Sequence, residues 1–156
     1  PGCSKKESTF EWAAHFRCHL RYAVESELME ELGGENGYQH MKNIRRCTSP
    51  LNRFTIETGK DKIIHVQCFG GTESYLAEGY GENMKSLLPM VIRRAKGNAA
   101  CFVAVYQIIN QESAPLPAKV KFGKKTVVEI DDLALSISRK TELKINQAKI
   151  PVHNVQ

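Results

Sequence analysis

The sequence predicts an α+β domain: an antiparallel sheet packed against two main helices, with additional C-terminal strands. Three observations predict this class. Apolar residues recur every four positions at Trp12, Phe16, Leu20, Val24, Leu28 and Leu32, which suits one face of a long amphipathic helix. Between 53 and 79, three short runs rich in alternating or β-branched residues are separated by glycine-bearing turns. A second run, 83–96, carries Leu87, Leu88, Val91, Ile92 and Ala95 as a helical apolar face.

Residues 1–7 read as a disordered lead-in. Ser8 or Thr9 caps the first helix, Ala13 and Ala23 widen its stripe, and Gly33-Gly34 ends it. Glu25, Glu27, Glu30 and Glu31 gather near its C-terminal end, where acidic charge opposes the helix dipole and calls for a partner. A short helix is expected around Tyr38–Arg46, and Thr48-Ser49-Pro50 breaks the chain. The strands follow at Arg53–Thr58, Lys62–Phe69 and Glu73–Gly79, with turns at Gly59-Lys60-Asp61 and Gly70-Gly71-Thr72. In the 83–96 helix, Pro89 marks either a first turn or a kink, because proline lacks the interior N–H donor.

Beyond Gly97-Asn98, the apolar run 99–109 ("AACFVAVYQII") reads as a buried strand. Residues 112–118 form a loop with Pro115 and Pro117, and 119–130 a hairpin turning at Gly123-Lys124. Residues 131–145 fit either a last helix capped by Asp131 or a further strand, and 146–156 read as a tail. The whole is taken as a single α+β domain over 8–145, with 97–145 as its C-terminal β-rich extension. Such an extended sheet offers an open edge to a second chain.

With 156 residues, 42% apolar and 25% charged, the chain suits one ordinary globular domain. No run approaches the ~18 apolar residues of a membrane-spanning helix. Residues 1–7 hold no apolar signal core, and the missing initiator Met is read as a segment of a longer protein. The five cysteines, at 3, 18, 47, 68 and 101, are odd in number and form no CxxC pair. That scatter points to reduced thiols and a cytoplasmic or nuclear location. The net charge of +5, from 22 basic and 17 acidic residues, permits a polyanionic partner without requiring one.

Residues 53–96 carry a family resemblance. "RFTIETGKDKIIHVQCF" and "ESYLAEGYG" resemble the three strands of the double-stranded-RNA-binding domain, and "GYGENMKS" resembles its Gly-x-Gly junction before the second helix. The looser likeness spans 20–96. It implies a helix–sheet–helix fold and an RNA contact where a helix N-terminus and its lysines face phosphates. Lys85 alone matches a family lysine, Glu82 adds a repelling charge, and the 59–61 loop lacks the family histidine. With Lys85, the basic residues Arg93, Arg94, Lys96, Lys124 and Lys125 make up the candidate nucleic-acid face. Arg45, Arg46, Lys119 and Lys121 extend it if the clusters converge; otherwise they are separate solvated patches. Tyr75, Tyr80 and Tyr106 are the candidate stacking aromatics, with two of the three expected in the core or in turns.

Other constellations favour structure over chemistry. His15 and His19 lie four apart with Cys18 beside them, a helical metal-ligand spacing that Cys47 or His40 would have to complete; no metal site is assigned. Cys68 or Cys101 with His65 would make a cysteine-dependent enzyme. However, His65 and Cys68 fall on opposite faces of a strand, and Cys101 sits in an apolar run expected to be buried. No P-loop, Gly-x-Ser-x-Gly or His-Glu-x-x-His motif occurs. The expectation is therefore a non-enzymatic interaction module without a cofactor, in an intracellular RNA-related assembly, binding protein and RNA through a basic face. The alternatives are a dimerisation or scaffold domain without nucleic-acid contact, and a small cysteine-dependent enzyme.

Overall fold

A computed structural model describes residues 8–33, 37–59, 61–81, 85–138 and 143–146. It overturns the α+β expectation. The described residues hold thirteen strands and, as their only helical element, a 3₁₀ turn at Tyr38–His40. The chain divides into two compact units, Pro1–Ser113 and Ala114–Gln156.

The first unit is a two-sheet antiparallel sandwich. Its strands are β1 (Ser8–His15), β2 (His19–Arg21), β3 (Ser26–Leu28), β4 (Lys42–Cys47), β5 (Arg53–Glu57), β6 (Lys62–Phe69), β7 (Glu73–Tyr80), β8 (Leu87–Gly97) and β9 (Val103–Asn110). One sheet has the order β1-β8-β7-β4-β3, the other β2-β5-β6-β9. Residues from both sheets meet in one core: Leu20, Phe54, Ile56, Val66 and Cys68 from one, Cys47, Leu76 and Val91 from the other. Phe16 packs edge-on against Phe54 with ring centroids 5.4 Å apart. The other face of the five-stranded sheet is apolar as well. Ile44, Tyr75, Ala77, Met90 and Ile92 are covered there by Met29, Leu32 and Met41.

The first predicted helix fails for a geometric reason. Residues four apart share a face in a strand as well as in a helix, because four is a multiple of the two-residue strand period. A helical stripe needs steps of three as well as four. At 3.6 residues per turn, five successive steps of four drift by roughly 200° around the axis. The large apolar residues from Trp12 to Leu32 have only fours, the steps of three being supplied by the small Ala13 and Ala23 alone, and Trp12, Leu20 and Leu28 lie in β1, β2 and β3. The short helix expected over Tyr38–Arg46 reduces to the 3₁₀ turn followed by β4.

The second predicted helix is β8, which pairs with β1 on one side and β7 on the other. Its two faces are both covered, so its apolar residues run on without the alternation that marks a half-buried strand. Pro89 is accommodated at the end of the β1 ladder. The last register pair is His15 with Met90, and the Pro89 carbonyl accepts the Phe16 N–H at 2.9 Å. The missing proline N–H therefore falls where that ladder stops.

The three strands expected between 53 and 79 are present as β5, β6 and β7, whereas the buried strand expected over 99–109 is β9, which begins at Val103, ends its sheet and leaves Tyr106 and Ile108 exposed. The Gly79-Tyr80-Gly81 junction leads from strand to strand, not strand to helix. The Gly81 N–H donates to the Ser86 carbonyl at 3.0 Å, closing the connection to β8. Gly79 itself lies in β7 beneath the His15 imidazole, and a Cβ there would come within 2.5 Å of His15 Nε2.

The second unit contains β10 (Ala118–Lys121), β11 (Lys125–Ile130), β12 (Leu133–Ser138) and β13 (Leu143–Asn146), paired in that order. The hairpin at Gly123-Lys124 forms as expected. Of the span 131–145, the described residues 133–138 and 143–145 are strand, the second of the two alternatives. Asp131 does not cap a helix: with φ of 50°, it opens the two-residue turn Asp131-Asp132 between β11 and β12. The register puts Ala118, Val120, Val128 and Ile130 on one face and Lys119, Lys121 and Glu129 on the other. Lys121 pairs with Glu129 there at 2.8 Å. The lead-in 1–7 lies outside the described residues, as does the tail expected over 146–156 except for Asn146, which ends β13.

Candidate functional site

In the first unit the predicted basic residues do not form one exposed face. Arg93 and Arg94 would be near neighbours on a helix; on β8 they point to opposite faces. Lys96 is exposed at the end of β8, and Lys85 is exposed in the β7–β8 connection with no helix N-terminus beside it. Lys124 and Lys125 are exposed in the second unit, at the β10–β11 turn. Glu82 is outside the described residues. The RNA reading took its geometry from a helix start at this junction, and that geometry is absent from the described chain. Of the candidate stacking residues, Tyr75 is buried, whereas Tyr80 and Tyr106 are exposed.

Arg93 turns into the sandwich and is 2% exposed. Its Nε and Nη2 donate to the Gly70 carbonyl at 3.2 and 2.5 Å, and Nη2 also donates to the Gly71 carbonyl at 3.1 Å. Nη1 donates to Asn52 Oδ1 and Ser74 Oγ, both at 3.1 Å. All five guanidinium N–H groups are thereby used, with neutral acceptors only. Ser74 Oγ also accepts the Leu51 N–H at 2.8 Å, so this one side chain ties the 50–52 and 70–71 connections together. Gly70 and Gly71 have φ of 83° and 76°, the left-handed region that suits glycine and aims both carbonyls at the arginine.

Arg94 occupies the opposite face. Its Nε donates to Glu11 Oε1 at 2.6 Å, and its guanidinium lies 4.9 Å from the Tyr75 ring centroid and 5.8 Å from that of Tyr38. Tyr38 Oη donates to the other Glu11 oxygen, and Tyr75 Oη donates to Glu73 at 2.6 Å. This cluster anchors the turn at Tyr38–His40 to the sheet. The Tyr75 hydroxyl first, and then the Lys96, Arg46 and Arg94 cations, hold the Glu73 carboxyl below its usual range.

At one open end of the sandwich, a cleft of about 210 Å³ lies between β2 and the β4–β7–β8 face. His19 and Tyr22 approach it from one side; Asn43, Arg45 and Glu78 approach from the other. A β-bulge between Lys42 and Arg45 shapes that second side. Within the bulge Asn43 adopts φ of 50°, uncommon for a non-glycine residue although asparagine tolerates it best. Asn43 Nδ2 donates to Glu78 Oε2. Arg45 is held by Ser26, through Nε to Oγ at 2.9 Å and Nη2 to the carbonyl at 2.8 Å. Sequence reading missed this site. Neither a bulge nor its left-handed residue leaves a local sequence mark beyond the presence of an asparagine.

Cys47 and Cys68, among the described cysteines, sit in environments that keep their thiols protonated. Burial pushes the Cys68 thiol up to about 11 and raises that of Cys47, each only partly offset by Arg93. His65 is lowered by burial and by Arg53. Cys68 faces the core, and Cys101, expected to be buried, is exposed ahead of β9. His15 ends β1 in one sheet and His19 begins β2 in the other, so the helical premise of a metal pair is gone. No group of three metal-ligating side chains occurs among the described residues. Among them, too, no helix is long and apolar enough to cross a membrane.

The sheet edges differ in character. β2 and β3 are three residues long and carry Arg21 and Glu27, and β1 carries Glu11. The eight-residue β9, Val-Ala-Val-Tyr-Gln-Ile-Ile-Asn, has no charge and no proline, and its neighbour in the sheet is β6. Tyr106 is 49% and Ile108 70% exposed. Tyr106 pairs with Val66 and Ile108 with Ile64, which places both exposed side chains on the face that carries the core.

No protein-family model matches the chain, and no curated protein matches it.

Proposed function

We propose that this chain is a non-enzymatic dimerisation or scaffold module that joins a second copy of itself through the β9 edge. The carrying observation is an eight-residue, charge-free edge strand with two large exposed apolar side chains. Proteins usually blunt such edges with charge, proline or brevity, as β1, β2 and β3 illustrate here.

A two-fold contact sets each edge residue against the same strand of the partner, so any charge could meet its like; β9 carries none. For the two core-bearing faces to lie on the same side, the axis must pass through a residue. Centred on Gln107, the register puts Tyr106 opposite Ile108 of the partner, twice. Aromatic and β-branched residues facing across strands stabilise such a pair by about 0.2–1 kcal/mol each.

A binding role also suits the chemistry of the titratable groups. The Cys68 thiol stays protonated near neutral pH and the Glu73 carboxyl stays ionised, the wrong states for a nucleophile and a general acid. Cys18, Cys47 and Cys68 carry reduced thiols, in keeping with a cytoplasmic or nuclear setting.

Sedimentation velocity over a concentration series tests the reading. The wild type should shift from monomer to dimer, and Ile108→Lys should stay monomeric with an unchanged circular-dichroism spectrum. A wild type that is monomeric throughout, or an Ile108→Lys variant that dimerises equally well, would refute it.

A further inference from the structure

Charge is unevenly placed on the β10–β11 hairpin of the second unit. The register, with Lys121 opposite Val127, centres the turn on Lys124. Lys121, Lys124 and Lys125 are exposed there, and Phe122 among them is 47% exposed. Beyond its chain neighbours, a Cβ on Gly123 would meet only the Lys125 carbonyl within 4 Å, so no other element crowds the turn. Lys121 is paired with Glu129, whereas Lys124 and Lys125 have no ion pair among the described residues. Asp131 and Asp132 lie at the far end of β11, about 20 Å from Lys125 at ~3.4 Å per residue. That exceeds the ~8–10 Å over which surface charges act in ordinary salt. The hairpin is therefore cationic at its tip and acidic at its far end.

The form of the tip selects among polyanions. A nucleic-acid strand binds along a basic groove with successive aromatic platforms for its bases. This tip is a projecting turn with one exposed aromatic ring. An anionic bilayer presents a broad negative surface, and each lysine held near it strengthens binding roughly fivefold. Aromatic rings settle at the headgroup level of such a surface, which suits a phenylalanine set among cations. The acidic end, one strand length away, stays clear of the lipid.

We infer that the β10–β11 tip is a docking site for an anionic lipid surface. Phe122 enters the headgroup layer, and Lys121, Lys124 and Lys125 lie on the lipid anions. The contact is peripheral and reversible, not a membrane span. It is independent of the β9 edge and does not require dimerisation.

The test is co-sedimentation of the full chain with vesicles, one set of pure phosphatidylcholine and one with about 30 mol% phosphatidylserine. The wild type should bind only the anionic vesicles, and less as salt rises from about 50 to about 300 mM. Lys124→Gln combined with Lys125→Gln should weaken binding about 25-fold with an unchanged circular-dichroism spectrum, and Phe122→Ser roughly 10-fold. Phe122→Trp keeps a ring at the tip and should keep binding. Its emission should move to shorter wavelength on anionic vesicles, with the wild type's single Trp12 as the reference. Equal binding to both lipids, no binding to anionic vesicles at low salt, or a double variant that binds as well as the wild type would each overturn the assignment. So would a single-stranded oligonucleotide that displaces the protein from vesicles and that Phe122→Ser no longer binds, since the tip would then be a nucleic-acid site.

Discussion

Arg93 and Arg94 are chain neighbours on β8, and the sandwich treats them in opposite ways. Arg93 is 2% exposed and held by backbone carbonyls, an amide oxygen and a hydroxyl. Arg94 keeps a carboxylate, Glu11, and the faces of two tyrosine rings on the other side of the sheet. A buried guanidinium survives without a counter-ion because every N–H has an acceptor and the planar fork fits several at once. A partly exposed one relies on a charge pair that solvent can partly replace. The inner arginine therefore organises loops, whereas the outer one fastens a covering segment to a sheet that is already formed.

Removing the inner side of this contrast should have the largest effect. Arg93→Met leaves Gly70, Gly71, Asn52 and Ser74 oxygens short of a donor inside the sandwich, each worth about 1–3 kcal/mol if unsatisfied. We expect a loss of about 3 kcal/mol or more in urea denaturation. Arg93→Lys should recover little of it, because an ammonium has three donors and no fork. A loss below about 1 kcal/mol would show that the network is dispensable.

On the outer face the effect should be smaller. Arg94→Ala and Glu11→Ala should each cost about 1–2 kcal/mol, and a double-mutant cycle should return a coupling of about 1 kcal/mol that weakens with salt. Coupling as large as the Arg93 loss would erase the distinction between the two faces.

The smallest effect concerns pH. The folded Glu73 pKa is depressed from 4.5, first by the Tyr75 hydroxyl and then by nearby cations. A depressed carboxyl contributes stability that is present above the unfolded value and is lost as pH falls through the folded one. The wild type should thus lose stability below about pH 4.5 more steeply than Glu73→Gln, with the two curves parallel at neutral pH. Parallel curves down to the lowest pH at which the protein stays folded would mean that the Tyr75–Glu73 bond carries no net linkage.

Parts of this fold were legible from local pattern. β5, β6, β7 and the β10–β11 hairpin show alternation between clear turns, and the turn residues set their ends. The candidate site was much less legible. Lys85, Arg93, Arg94, Lys96, Lys124 and Lys125 can be counted in the sequence, but their directions depend on whether 83–96 is helix or strand. The cleft depends on a bulge at Asn43 and on β2 lying opposite β4 and β7, contacts between segments far apart in the chain.

By itself the sequence determined the short strands whose turns lie beside them, the charge-free character of 103–110 and the scatter of its cysteines. These are local properties, carried by side-chain alternation, backbone preference and composition. Only the tertiary structure decided that 8–28 holds three strands and 87–97 one, that one of two adjacent arginines is interior, and that 103–110 ends a sheet. A strand covered on both faces loses its alternation, and steps of four serve helix and strand alike, so the choice passes to the partners that β8 and β1 find across the sheet.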